Sequence, residues 1–171
     1  LEMHRGTLTS LAPIKQGNRR AELALREAEW LCACARLQGA VYPATELYEA
    51  WDTLLLNQFH DILPGSSIPC VNDQAIAELA QVRATAERLA DQALEALGAP
   101  AAADGNALLL VNTLNWDRTD WLDVPALPGG QVPVASGLAW QQVEDITGAQ
   151  VLALGGVSVP ALGSVTLPLA P

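Results

Sequence analysis

Apolar positions recur at helical spacing through the first hundred residues and at strand-like spacing beyond them. From about Pro13 to Gln38 the composition turns to Ala, Leu, Glu and Arg. Ala24, Ala28, Leu31 and Ala35 mark one face of this segment, and Leu23, Trp30 and Cys34 widen it. Thr9 or Ser10 is available to cap the start of this helix and Gly39 to end it. A second helix is predicted from near Pro43, since proline is tolerated in a first helical turn. Leu47, Trp51, Leu54 and Gln58 form its stripe, with Leu55 alongside. A third spans roughly Val71 to Leu97, where Val71, Ala75, Leu79, Val82, Ala86, Leu89 and Ala93 alternate by fours and threes, and Gly98 supplies the stop. Each stripe needs partners, and short connections between three helices predict a three-helix bundle.

The pattern changes near residue 99. Residues 99–105 have linker composition, and from Ala99 onward come seven of the eleven prolines and eight of the thirteen glycines. Short apolar runs follow at Leu108–Leu114, Trp121–Val124, Leu138–Val143, Val151–Leu154 and Ser164–Leu169, with turn residues between them. About five such strands predict a partial antiparallel β-sandwich with open edges, incomplete or covered by a neighbour. The expected class is therefore α+β: a bundle over 1–98, a linker over 99–105 and a partial sandwich over 106–171.

Composition narrows the partners. A hydrophobic fraction of 50% and a mean hydropathy of +0.20 belong to a folded chain. A net charge of −10 argues against a nucleic-acid partner, because little here could neutralise a phosphate backbone. Arg5, Lys15, Arg19, Arg20 and Arg26 gather near the start and read as a solvated helix face. Cys32, Cys34 and Cys70 form neither a CxxC pair nor a disulfide framework, so they read as small apolar residues in a reducing cytoplasm. No run approaches a membrane span, and no signal peptide opens the chain. Leu1-Glu-Met-His is not a natural start, which suggests a piece of a longer polypeptide.

One stretch carries candidate chemistry. Residues 51–68 run from an apolar helix into His60-Asp61, and Pro64-Gly65 follows at once. Asn57, His60 and Asp61 thus fall at a helix-to-loop junction, where side chains can face a cleft. A lone His-Asp pair at a helix end is ordinarily structural, with the imidazole complementing the negative helix end or the Asp starting a turn. Zinc wants three or four ligands, and the only other histidine is His4. A phosphohydrolase of the HD type would need further His and Asp ligands that are missing. Ser66-Ser67 reads as a turn or cap rather than a nucleophile paired with His60. Glu144-Asp145 reads as solvent-facing beside Thr147-Gly148. Trp116, Trp121 and Trp140 are more readily core residues than sugar-stacking platforms.

The string itself says more than its composition. Asn57-Gln-Phe-His-Asp-Ile-Leu-Pro-Gly-Ser-Ser-Ile68 closely resembles the signature of glycoside hydrolase family 38, the α-mannosidases, over twelve consecutive positions. His4-Arg-Gly-Thr-Leu-Thr-Ser10, with Lys15, Asn18-Arg19, Glu22 and Ala28-Glu29, is similar to the segment by which that family enters its helical middle domain. Leu110-Val-Asn-Thr-Leu-Asn-Trp-Asp-Arg118 is similar to the first strand of the family's C-terminal β region.

The resemblance implies a barrel-like N-terminal catalytic domain upstream, a three-helix middle domain over 1–98 and the start of a β region over 106–171. It implies His60 as a zinc ligand, Asp61 as a contact to mannose hydroxyls and His4 as a residue lining the substrate pocket. It places the other zinc ligands, the nucleophile and the general acid/base upstream, so no catalytic residue is expected in this fragment. The implied substrate is a mannoside or oligosaccharide, cleaved with retention. The implied partner is the enzyme's own N-terminal domain, and the bundle face awaiting it is a candidate for homo-oligomer contacts. Alternatives are a non-catalytic carbohydrate- or protein-binding module, or a family 38 hydrolase acting on a small mannosylated solute such as mannosylglycerate.

Overall fold

The computed structural model describes residues 10–98 and 106–170. The chain divides into two compact units between Leu97 and Gly98. The first contains helices α1 (Ala12–Leu37), α2 (Ala44–Asn57) and α3 (Pro69–Gly98). Named contacts tie α3 to both of the other helices. Gly17 of α1 lies under Leu79 of α3, where an added Cβ would come within 3.3 Å. The Cys32 thiol donates to the Leu89 carbonyl at 3.6 Å, and Arg88 of α3 pairs with Glu46 of α2. Burial also raises the pKa of the Cys32 thiol, with the Glu46 carboxylate adding to the effect, so this cysteine stays a neutral core group. Cys34 is half-buried and Cys70 exposed, so only one of the three cysteines matches the buried reading.

The α3 stripe is buried as its spacing predicts: Ala75, Leu79, Val82, Ala86, Leu89 and Ala93 all face inward. On α1 the buried line is Ile14, Ala21, Leu25, Ala28, Leu31, Cys32 and Ala35. Leu23 is exposed instead, and so is Leu55 on α2. Leu55 stands one position from buried Leu54 and Leu23 two from buried Leu25, and on α1 an Ala-rich face gives little contrast to fix its rotation. The α1 start also differs from expectation. No side chain caps it; Leu11 occupies the N-cap position in a left-handed conformation (φ 47°, ψ 54°). Thr9 lies outside the described residues, as do His4 and Arg5 and the 99–105 linker. Among the described residues no helix is long and apolar enough to cross a membrane.

The second unit holds two three-stranded antiparallel sheets. One has the order β1 (Ala107–Val111), β6 (Ser164–Ala170), β3 (Val132–Pro133). The other has the order β2 (Arg118–Pro125), β5 (Gln150–Val159), β4 (Ala139–Glu144). Leu152, Leu154, Val157 and Val159 of β5 meet Leu167 of β6 in the core, with Leu108, Leu110, Leu122 and Val124 around them. This is the expected sandwich, with one strand more than the pattern shows. β3 is only two residues long and includes a proline, a combination that sits at sheet edges and leaves no periodic trace. β1 stops at Val111 because Asn112 turns inward. Its side-chain amide approaches the Trp116, Val159 and Pro160 carbonyls at 2.8–3.2 Å, and its oxygen accepts from the Leu114 amide.

β5 runs straight through Gly155-Gly156. Between the pairs Asp120–Val157 and Leu122–Leu154 it carries one residue more than β2, a bulge that Gly156 accommodates with φ 76°. Trp121 lies across Gly155, where any Cβ would meet its ring at 2.6 Å. Trp121, Trp116 and Trp140 are all large exposed residues, which corrects the core reading. For Trp121 the reason is local: the bare glycine backbone supports one ring face and leaves the other in solvent.

Candidate functional site

The turn that follows α2 is built in two steps. Ile62 and Leu63 donate their amides to the Phe59 carbonyl at 2.9 and 3.0 Å, and Gly65 donates to Ile62 at 2.9 Å. Gly65 is left-handed (φ 77°), which reverses the chain before Pro69 opens α3. Ser66 and Ser67 both donate their hydroxyls to the Asp61 carbonyl, and Asn72 donates to the Ser67 carbonyl at 3.0 Å. The serines therefore shape the turn, as the sequence suggests.

His60 and Asp61 sit at the outside of this turn. Their side chains are 77% and 66% exposed, with His60 Nε2 3.5 Å from Asp61 Oδ2. The Phe59 ring lies 4.3 Å from the imidazole, centroid to centroid. Among the described residues His60 makes no side-chain hydrogen bond, so the imidazole is not capping α2. The last turn of α2 is closed by backbone amides, with Gln58 donating to Leu54 and Phe59 to Leu56. Both members of the pair are held out into solvent on a turn whose backbone is satisfied without them.

Asn57 departs from expectation. It is 1% exposed rather than facing a cleft. Its amide donates to the Thr53 carbonyl at 2.9 Å and to Glu78 Oε2 at 2.8 Å, linking the end of α2 to α3. Gln58 donates to Asn18 Oδ1 of α1 at 3.1 Å. Lys15 donates to the Pro64 carbonyl at 3.0 Å and to the Ser10 carbonyl at 2.5 Å, so it is not part of a merely solvated face. The sequence reading missed Glu78, and it left Lys15 among surface cations; their partners lie 21 and 49 residues away.

Hydrogen bonds from Asn57 and then Gln74 hold the Glu78 carboxyl below its ordinary pKa of 4.5, against a smaller desolvation effect. A lowered folded-state pKa stabilises the fold above the unfolded value, and this contribution is lost as pH falls through the lowered one. Glu78→Gln is therefore expected to melt below wild type at about pH 7, with the gap closing below about pH 4. Thermal unfolding followed by circular dichroism checks this; a gap that persists into acid contradicts it.

Neutral imidazole is a good zinc donor, and Nε2 of His60 has no hydrogen bond among the described residues to compete with a metal. One imidazole does not make a zinc site, however. Among the described residues no three His, Cys, Asp or Glu side chains converge to hold a metal ion. A lone donor could fill at most one position of such a site.

Residues 2–97 match the family model of the alpha mannosidase middle domain. Human alpha-mannosidase 2C1 is 41% identical over 132 residues, 76% of this chain and 12% of that protein. The alpha-mannosidase of Saccharomyces cerevisiae is 35% identical over 123 residues, 70% of this chain and 11% of that protein. The chain thus spans roughly an eighth of the length of these relatives. Among solved structures, an alpha-mannosidase from Enterococcus faecalis V583 superposes with a TM-score of 0.68 at 18% identity, covering 91% of this chain and 23% of that one. A glycosyl hydrolase family 38 protein from Enterococcus faecalis gives 0.61 at the same identity and the same coverage of this chain. These two share the fold.

Proposed function

Because the chain belongs to the alpha-mannosidase middle-domain family of glycoside hydrolase family 38, we propose that it is the helical middle domain and the start of the β region of a retaining, zinc-dependent α-mannosidase. Residues 1–98 are the middle domain in this reading, 99–105 a linker, and 106–171 the first part of a C-terminal β-sandwich. The enzyme acts in the cytoplasm on terminal α-mannosyl residues. The observation that carries the reading is the exposed His60-Asp61 pair on a turn that needs neither side chain for its own structure.

His60 holds zinc through a neutral ring nitrogen, as one ligand among several. Bound zinc supplies Lewis-acid polarisation of the sugar's vicinal hydroxyls and favours ring distortion towards the oxocarbenium-like transition state. Asp61, acceptor-only when ionised, takes hydrogen bonds from mannose hydroxyls and orients the ring. His4 lines the same pocket; it lies outside the described residues. Retention requires two carboxyl groups about 5–5.5 Å apart across the scissile bond. Asp61 supplies neither of them, and both belong to the N-terminal catalytic domain.

A fragment with this role hydrolyses nothing alone. The purified 171-residue chain, supplied with zinc and a chromogenic α-mannoside, is expected to show no turnover above buffer. Turnover that survives repurification would sink the division of labour proposed here.

A further inference from the structure

Resting on the reading of His60 and Asp61 above, we propose that Lys15 is a positioning residue for the turn that carries them. Lys15 belongs to a stripe of α1 committed to that turn. Lys15 and Asn18 stand three apart on one face of α1, and Leu11 is the N-cap residue just before the helix. Each touches a different part of the turn. Leu11 lies against Gly65, where an added Cβ would meet its side chain at 3.0 Å. The Lys15 ammonium bridges the Pro64 carbonyl at 3.0 Å and the Ser10 carbonyl at 2.5 Å. Asn18 accepts from Gln58 at the turn's other end.

The turn needs such support. Phe59, His60 and Asp61 are exposed, and Ile62, Leu63, Pro64 and Gly65 are only half-buried. Little apolar burial fixes where the His60 ring points, so polar ties to α1 must set it. A charge-assisted hydrogen bond is stronger than a neutral one. Lys15 joins both sides of the junction, the turn before α1 and the turn after α2, as the Leu11–Gly65 contact also does. Leu11 itself holds a left-handed conformation rare for a residue with a Cβ. That strained N-cap sits where the Leu11 side chain meets Gly65.

The decisive experiment is amide hydrogen exchange on the 171-residue chain, combined with zinc release to a chelator from the full-length enzyme. Lys15→Met is expected to speed exchange at Ile62, Leu63 and Gly65 about tenfold, leaving the middles of α2 and α3 unchanged. Lys15→Arg, whose planar fork also spans two carbonyls, is expected to restore protection. Gly65→Ala is expected to loosen the same amides with Lys15 intact. In the full enzyme Lys15→Met is expected to release zinc faster, again with rescue by arginine. Unchanged exchange at the turn, or a loss spread equally over the bundle, overturns the proposal. So does a loosened turn with unaltered zinc release. If His60→Ala also leaves zinc release unaltered, the reading of His60 as a ligand has failed instead, while the exchange data still judge the tie.

Discussion

Alanine at His60 in the full-length enzyme is expected to lower α-mannosidase kcat/KM by more than about 100-fold while the bundle melts as before. Removing a partner that merely orients a metal ligand costs about 10–100-fold in metal affinity or activity, and removing the ligand itself costs more. The stability half of the expectation follows from the turn. The imidazole is 77% exposed and has no hydrogen bond among the described residues, so its loss should change stability by no more than about 0.5 kcal/mol. Asp61→Asn is a useful companion, because the Ser66 and Ser67 hydroxyls bind the Asp61 backbone carbonyl and survive the change. A structural capping role for His60 predicts the reverse pattern: a lower melting temperature with near-normal turnover. Steady-state kinetics on a chromogenic α-mannoside, alongside circular dichroism melts, separate the two.

Leu79→Ala is expected to destabilise the bundle by about 3 kcal/mol, a large share of the roughly 5–15 kcal/mol that holds a typical domain together. Leu79 is fully buried and packs against α1 over Gly17. Gly17 has no side chain that could swing into the space vacated. Leu23→Ala provides the contrast, since Leu23 is exposed and its loss should cost no more than about 0.5 kcal/mol. Urea unfolding followed at helical wavelengths measures both. Similar losses for the two variants would show that the core has been assigned to the wrong faces.

The bundle was legible in the sequence where its helices are strongly two-sided. α3 alternates buried Ala, Leu and Val with Gln, Arg, Glu and Asp, and each turn repeats the contrast, so its inward face from Ala75 to Ala93 is legible in the pattern. α1 spreads alanines round its circumference, so its pattern admits Leu23 to the apolar face although the buried leucine is Leu25. The β unit was legible in its class and less so in its edges. A two-residue strand and a glycine bulge follow from long-range pairing to β6 and β2, which no local pattern records. At the candidate site, the string from Asn57 to Ile68 marks His60 and Asp61 by resemblance alone. What braces them was illegible, because Lys15–Pro64, Asn18–Gln58 and Asn57–Glu78 each join residues 21 to 49 positions apart. Hydrogen bonds of that separation leave no periodicity behind them.

We propose that this chain contributes one ligand to a zinc site completed by another domain. The most direct test is the metal content of the full-length enzyme after exhaustive dialysis, compared between wild type and His60→Ala. The account predicts zinc retained in the wild type and lost from the variant, with both still folded. Full retention of zinc by His60→Ala would contradict it.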